Sequence, residues 1–175
     1  LTADAVLYSA AANSSEKVDL CILNGGGIRA SIGAGDISML TILSVFPFSN
    51  TIVTLKVTGA ELLEALEAAT YDLPNLMAAF PQVSGICYTV DTTVAYEKGE
   101  EYPDSTYYKP ANPGSRVTIQ SIGGEDFDLE AIYTIAANDF IGAGGDTYYA
   151  FKYAYETAGY ATGISLEDAI KQYVD

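Results

Sequence analysis

Val18-Asp19-Leu20-Cys21-Ile22-Leu23-Asn24-Gly25-Gly26-Gly27-Ile28-Arg29-Ala30 is the stretch on which the fold turns. Its first half is a short apolar run that stops at Asn24 and a triple glycine, the pattern of a buried strand entering a tight loop. Gly25, Gly27 and Ala30 also satisfy the G-x-G-x-x-A dinucleotide fingerprint. That fingerprint needs a helix opening at the turn and an acidic residue about 20 positions on. Here Gly33 and Gly35 interrupt any helix, and the later position falls in Phe48-Ser49-Asn50, which holds no acid. The doubly wound dinucleotide fold is therefore rejected on context.

Working outward, Thr2 to Ala12 has helical spacing of its apolar residues, with Leu1 already inside the pattern. The chain accordingly reads as an excised or processed piece of a longer protein. Ser38 caps an apolar helix over Met39 to Phe46, closed by Pro47. Thr51 to Val57, Ile86 to Val90, Arg116 to Ile122 and Tyr133 to Ala137 read as strands. Thr58 and Glu61 form a capping box, after which Leu62, Leu63, Leu66 and Ala69 line one helical face. Glu97 to Ser115 shows no period and is expected to be an irregular excursion; Asn138 to Asp146 reads as a loop, and Ser165 to Val174 as a capped last helix. Strands and helices mix without a strict βαβ repeat, so the expected class is α+β, a mixed sheet flanked by helices, with residues 1–175 as a single domain.

Composition narrows the function. The formal charge of −15 repels a phosphate backbone and an anionic membrane surface, which excludes nucleic-acid polymer as a partner. Histidine is absent, removing Ser-His-Asp and Cys-His catalysis and the usual histidine-containing metal sites. No run of about 18 apolar residues provides a membrane span. Cys21 and Cys87 sit in apolar runs and are expected to be buried free thiols. Only Arg29 and Arg116 supply guanidinium groups, so an anion site has few cations to draw on. Asn24-Gly25-Gly26-Gly27-Ile28-Arg29 offers close backbone approach, an amide and one guanidinium fork. The competing reading is a glycine turn with Arg29 paired to a carboxylate.

Two further segments shift that balance: Pro47-Phe48-Ser49-Asn50-Thr51 and Asn138-Asp139-Phe140-Ile141-Gly142-Ala143-Gly144-Gly145-Asp146. With the glycine segment they resemble, in order and spacing, the C-terminal domain of the 5′-nucleotidase and 2′,3′-cyclic phosphodiesterase family. Gly35-Asp36-Ile37, Thr58-Gly59, Phe80-Pro81-Gln82-Val83-Ser84-Gly85 and Gly114-Ser115-Arg116-Val117 extend the resemblance over nearly the whole chain. In two places the chain departs from it: Ser49 and Thr147 stand where glycine is common in the family.

The resemblance implies a substrate-binding domain. Phe48 and Phe140 would hold a nucleobase between their rings, and Asn24 would contact the base or ribose. Gly26 would offer backbone polar atoms, Asp146 would accept from ribose hydroxyls, and Arg29 would meet phosphate. Ordinary core packing is the alternative for the two phenylalanines. Arg116, in a turn after Pro113-Gly114-Ser115, reads as structural. The late tyrosines, among them Tyr148, Tyr149, Tyr153, Tyr155 and Tyr160, read as rings packed partly in the core with hydroxyls in water rather than as a sugar platform.

By the same resemblance, no catalytic residue, metal ligand or cofactor is expected in this chain. Two divalent metal ions would belong to an N-terminal metallophosphatase domain of the same parent chain, absent here, where a metal-activated water attacks phosphorus. The implied whole is a secreted 5′-nucleotidase acting on nucleotides in an extracellular, cell-wall-associated or periplasmic setting, with the isolated chain inactive. A non-catalytic secreted module binding carbohydrate or a protein partner is the second reading.

Overall fold

The computed structural model describes residues 1–174. In chain order the first elements are α1 (Thr2–Ala12), β1 (Leu20–Asn24), α2 (Met39–Val45), β2 (Thr51–Thr58), α3 (Gly59–Ala68), β3 (Pro81–Ser84) and β4 (Ile86–Val90). The next are β5 (Lys98–Glu101), β6 (Tyr108–Pro110), β7 (Val117–Ile122), β8 (Glu125–Asp126) and β9 (Ile132–Asn138). The last are α4 (Asp139–Gly142), α5 (Lys152–Ala158), β10 (Tyr160–Ser165) and α6 (Leu166–Val174).

A five-stranded sheet in the order β10-β2-β9-β1-β3 organises the molecule. β1 and β9 run parallel, while the other pairings are antiparallel, so the sheet is mixed as expected. Period-two alternation sorts its side chains into two cores. Leu20 and Ile22 of β1, Val53 and Leu55 of β2 and Ile135 and Ala137 of β9 face α3 and β7. Cys21, Leu23, Ile52 and Ala136 face the other way, onto α1, α2 and α6. Both faces are covered by apolar side chains, which is why these strands read as continuous hydrophobic runs.

The capping box at Thr58 is present: Glu61 N donates to Thr58 Oγ1 and Thr58 N donates to Glu61 Oε2. It starts α3, whose last turn carries the buried Glu67. The Glu67 carboxylate accepts from Gly114 N at 3.0 Å, Ser115 Oγ at 2.9 Å, Arg116 N at 3.0 Å and Val117 N at 2.9 Å. Arg116 is also buried, and it donates to the carbonyls of Thr70, Tyr71 and Leu73 just beyond the helix. One carboxylate thus satisfies the backbone entering β7, and one guanidinium ties down three carbonyls of the turn that follows α3. Arg116 takes a structural place.

Several expectations need correction. Within Glu97 to Ser115, β5 and β6 pair into a hairpin, although all four β5 residues are exposed and carry no apolar alternation. The loop from Asn138 contains α4, capped by Asn138 Oδ1 accepting from Ile141 N. Cys21 is buried and free, but Cys87 is exposed, because β4 alternates and turns Cys87 to its outer face. Tyr148 does not reach water: it is fully buried and donates to the Ala79 carbonyl at 2.7 Å. Tyr153 and Tyr160 are exposed, and Tyr149 stacks on Tyr102 with ring centroids 4.9 Å apart. Among the described residues no helix is long and apolar enough to cross a membrane.

Candidate functional site

The parallel strands β1 and β9 end side by side, each on an asparagine: Asn24 leads into the glycine turn and Asn138 into α4. Asn138 Nδ2 donates to Asn24 Oδ1 at 2.9 Å, and Asn24 Nδ2 donates to Asp146 Oδ2 at 2.9 Å. This relay spans the two strand ends and fixes a carboxylate over them. Asp146 is held in the left-handed region at φ 51°, a conformation that short polar residues tolerate best. Burial raises its pKa above the ordinary aspartate value, and the bond from Asn24 partly offsets that rise.

After Asn24 the chain tightens into one turn of 3₁₀ helix over Gly25–Gly27. Gly25 N donates to Phe80 O at 2.9 Å and Gly26 N to Ala78 O at 2.7 Å, locking the turn to the segment before β3. A Cβ on Gly26 would lie 2.8 Å from that of Ala78, so only glycine permits the approach. Its N–H being spent, Gly26 offers the cleft its carbonyl, which accepts from Arg29 Nη1 at 3.3 Å. Arg29 is exposed, and its guanidinium carbon stands 6.0 Å from the centroid of the Phe48 ring. Among the described residues no carboxylate pairs with Arg29, so the competing paired-arginine reading is not realised.

Phe48 and Phe140 are 58% and 46% exposed, which removes core packing as their role. Phe140 projects from the first turn of α4 and is braced from behind by Gly145. A Cβ on Gly145 would fall 2.6 Å from Phe140 Cε2, so the loop can pass behind the ring only as glycine. Phe48 precedes Ser49, which adopts φ 54°. A left-handed φ is one that glycine adopts without steric cost. Replacing Ser49 with valine is expected to cost about 1 to 2 kcal/mol, while glycine should stay within about 1 kcal/mol of the wild type. Urea denaturation compares the three, and a valine variant as stable as the parent would show that this turn carries no strain.

Asn24, Gly26, Arg29, Phe48, Phe140 and Asp146 line one cleft of about 300 Å³, together with Gly27, Asn50 and Ala78. All six residues singled out in the sequence therefore meet, although they come from three distant segments. Asn24 is the one whose place differs most from expectation: both ends of its amide are already bonded within the protein, so it holds Asp146 as well as facing the cleft. Gly27, Asn50 and Ala78 were missed, Gly27 although it stands inside the quoted glycine segment. Asn50 lay inside a quoted motif and carried a signal, whereas Ala78 has none that a sequence would reveal. The volume lies at the lower end for small-molecule pockets, and the mixture of two apolar rings with a few convergent polar groups is typical of them. A larger, open hollow of about 830 Å³ lies on the other side of Asp146, between Glu101–Tyr107 and Ala143–Lys152. Its charged lining is mostly acidic, from Glu101, Asp104 and Asp146, with Lys152 opposed, and it offers no aromatic slot of the same kind. Among the described residues no three His, Cys, Asp or Glu side chains gather where a metal ion could be held.

Comparison with known proteins follows the same lines. The family model described as 5′-nucleotidase, C-terminal domain, matches residues 1–153. The chain is 37% identical over 144 residues to the trifunctional nucleotide phosphoesterase protein YfkN of Bacillus subtilis, covering 81% of this chain and 9% of that protein. It is 30% identical over 169 residues to protein UshA of Escherichia coli, covering 96% of this chain and 26% of that protein. Among solved structures, the 5′-nucleotidase precursor from Thermus thermophilus superposes with a TM-score of 0.76 at 31% identity, over 99% of this chain and 31% of that one. The chain thus spans less than a third of the length of each of these relatives.

Proposed function

Because the chain belongs to the 5′-nucleotidase C-terminal domain family, we propose that it is the nucleoside-binding domain of a nucleotide phosphomonoester hydrolase. The observation that carries this reading is the pairing of two half-exposed rings, Phe48 and Phe140, with the tethered carboxylate of Asp146 in one cleft. A purine or pyrimidine slides between the rings, where stacking is worth roughly 1 to 3 kcal/mol per base and tolerates different bases. Ionised Asp146 accepts from the ribose hydroxyls, being acceptor-only in that state. Arg29, exposed and lining the cleft, meets the phosphate end.

Hydrolysis then falls to a preceding metallophosphatase domain of the same parent chain, whose two divalent ions activate the attacking water. The residues described here do not fit such a metal centre, so their part is to bind and orient the nucleoside. On this reading the parent works outside the cytoplasm, in the extracellular, cell-wall or periplasmic space. These assignments rest on the family and on the length of its members beyond this chain.

Calorimetric titration of the chain with adenosine, its 2′,3′-dideoxy analogue and AMP tests the reading. Adenosine is expected to bind about tenfold tighter than the dideoxy analogue, the size of a lost hydrogen bond to a charged group. That margin belongs to ionised Asp146, so it is full above the residue's raised pKa and fades as pH falls through it. AMP should bind little better than adenosine, the net charge of −15 opposing the gain from Arg29. No phosphate should be released with added divalent metal. Equal binding of the two nucleosides would remove Asp146 from the ribose, and chelator-sensitive phosphate release would overturn the division of labour.

A further inference from the structure

The cleft contains an amide whose orientation is fixed from outside. Asn50 lines it, and Asn50 Nδ2 donates to Asp139 Oδ1 at 2.7 Å. The second carboxylate oxygen, Asp139 Oδ2, accepts from Thr51 Oγ1 at 3.1 Å. An ionised carboxylate only accepts, so it selects the NH₂ end of the Asn50 amide and rejects the flipped one. A flip would lose a charge-assisted bond and set two oxygens against each other in a half-buried place. Among the described residues Asn50 Oδ1 has no hydrogen-bond partner, and Asn50 sits two positions from the Phe48 ring. Asp139 is well placed to hold this geometry, as the first residue of α4 immediately after its cap and immediately before Phe140.

Resting on the nucleoside-binding reading above, we infer that Asp139 is a positioning residue for base choice. It turns the Asn50 amide oxygen toward the bound base, and the cleft thereby selects a base edge that donates a hydrogen bond. The exocyclic amino group of adenine meets that requirement. The carbonyl of hypoxanthine at the same ring position does not, since it would face another oxygen.

Titration of the chain with adenosine and inosine tests this, with melting temperature recorded for every variant. The wild type is expected to prefer adenosine by about tenfold, the size of a single mismatched buried polar contact. Asp139→Asn should lower the preference to about twofold or less, since an amide at 139 lets Asn50 adopt either orientation. Combining Asn50→Asp with Asp139→Asn reverses donor and acceptor in the clamp yet still presents an oxygen to the base, and should restore the preference. Equal affinities in the wild type would overturn the inference while leaving nucleoside binding intact. So would an undiminished preference in Asp139→Asn, or a lost preference that the double variant fails to restore. Absence of binding by either nucleoside would instead bring down the underlying assignment of the cleft.

Discussion

Replacing Glu67 with alanine is expected to destabilise the fold by about 3 to 5 kcal/mol, a large part of the 5 to 15 kcal/mol typical of a domain. The carboxylate is buried at the end of α3 and accepts from Gly114 N, Ser115 Oγ, Arg116 N and Val117 N. Truncation leaves these donors without a protein acceptor, at roughly 1 to 3 kcal/mol for each that water does not reach. It also removes the carboxylate that accepts from Arg116 N, while the Arg116 guanidinium stays buried against the Thr70, Tyr71 and Leu73 carbonyls. Urea denaturation measures the loss. A change below about 1 kcal/mol would mean that solvent replaces the carboxylate and that the junction is not buried in solution. The consequence for binding is indirect. The strap from Thr70 to Phe80 ends on Ala78 and Phe80, which grip the glycine turn.

The second large effect is on affinity. Phe48→Ala and Phe140→Ala are each expected to weaken adenosine binding by about 1 to 3 kcal/mol, and the pair of changes to reduce it about a hundredfold or more. Both rings are substantially exposed, so their removal exposes no core. The losses need not add, because on the proposed reading the two rings grip opposite faces of one base. Calorimetry reports affinity and circular dichroism the integrity of the fold. Unchanged affinity in both single variants, with the fold intact, would end the stacking assignment.

What was legible in the sequence was local. The capping box at Thr58 and Glu61, the Ser38 cap and the apolar runs of β1, β2 and β9 are patterns of neighbouring residues, and each formed where it was expected. The hairpin of β5 and β6 was not legible, because Lys98-Gly99-Glu100-Glu101 is exposed throughout and leaves no period. β10 was missed for a related reason: it is an edge strand pairing only with β2, irregular between Ala161 and Ser165, with Gly163 at positive φ. The six cleft residues were singled out through ordered motifs, yet the bonds that arrange them were hidden. Glu67 serves partners 47 to 50 positions away, and Asp139 clamps Asn50 across 89. No pattern of neighbours encodes bonds of that span. Family resemblance located the segments, and only the sheet brought them together.

The sheet order also has a consequence for how the protein is made. β9 is the middle strand of β10-β2-β9-β1-β3, yet β1, β2 and β3 all leave the ribosome before it. Asn24 and Asp146 are separated by 122 residues, about 6 to 24 seconds of synthesis at 5 to 20 residues per second. Within that interval, once β2 has been made and until β9 follows, the nascent chain holds two hydrophobic flanks with no centre, and Leu20 to Leu23 and Ile52 to Val57 await the same missing neighbour. Premature termination before Ile132 would leave β2 without a partner and β1 paired on one edge only, a species prone to aggregation and in need of chaperones rather than a smaller working protein.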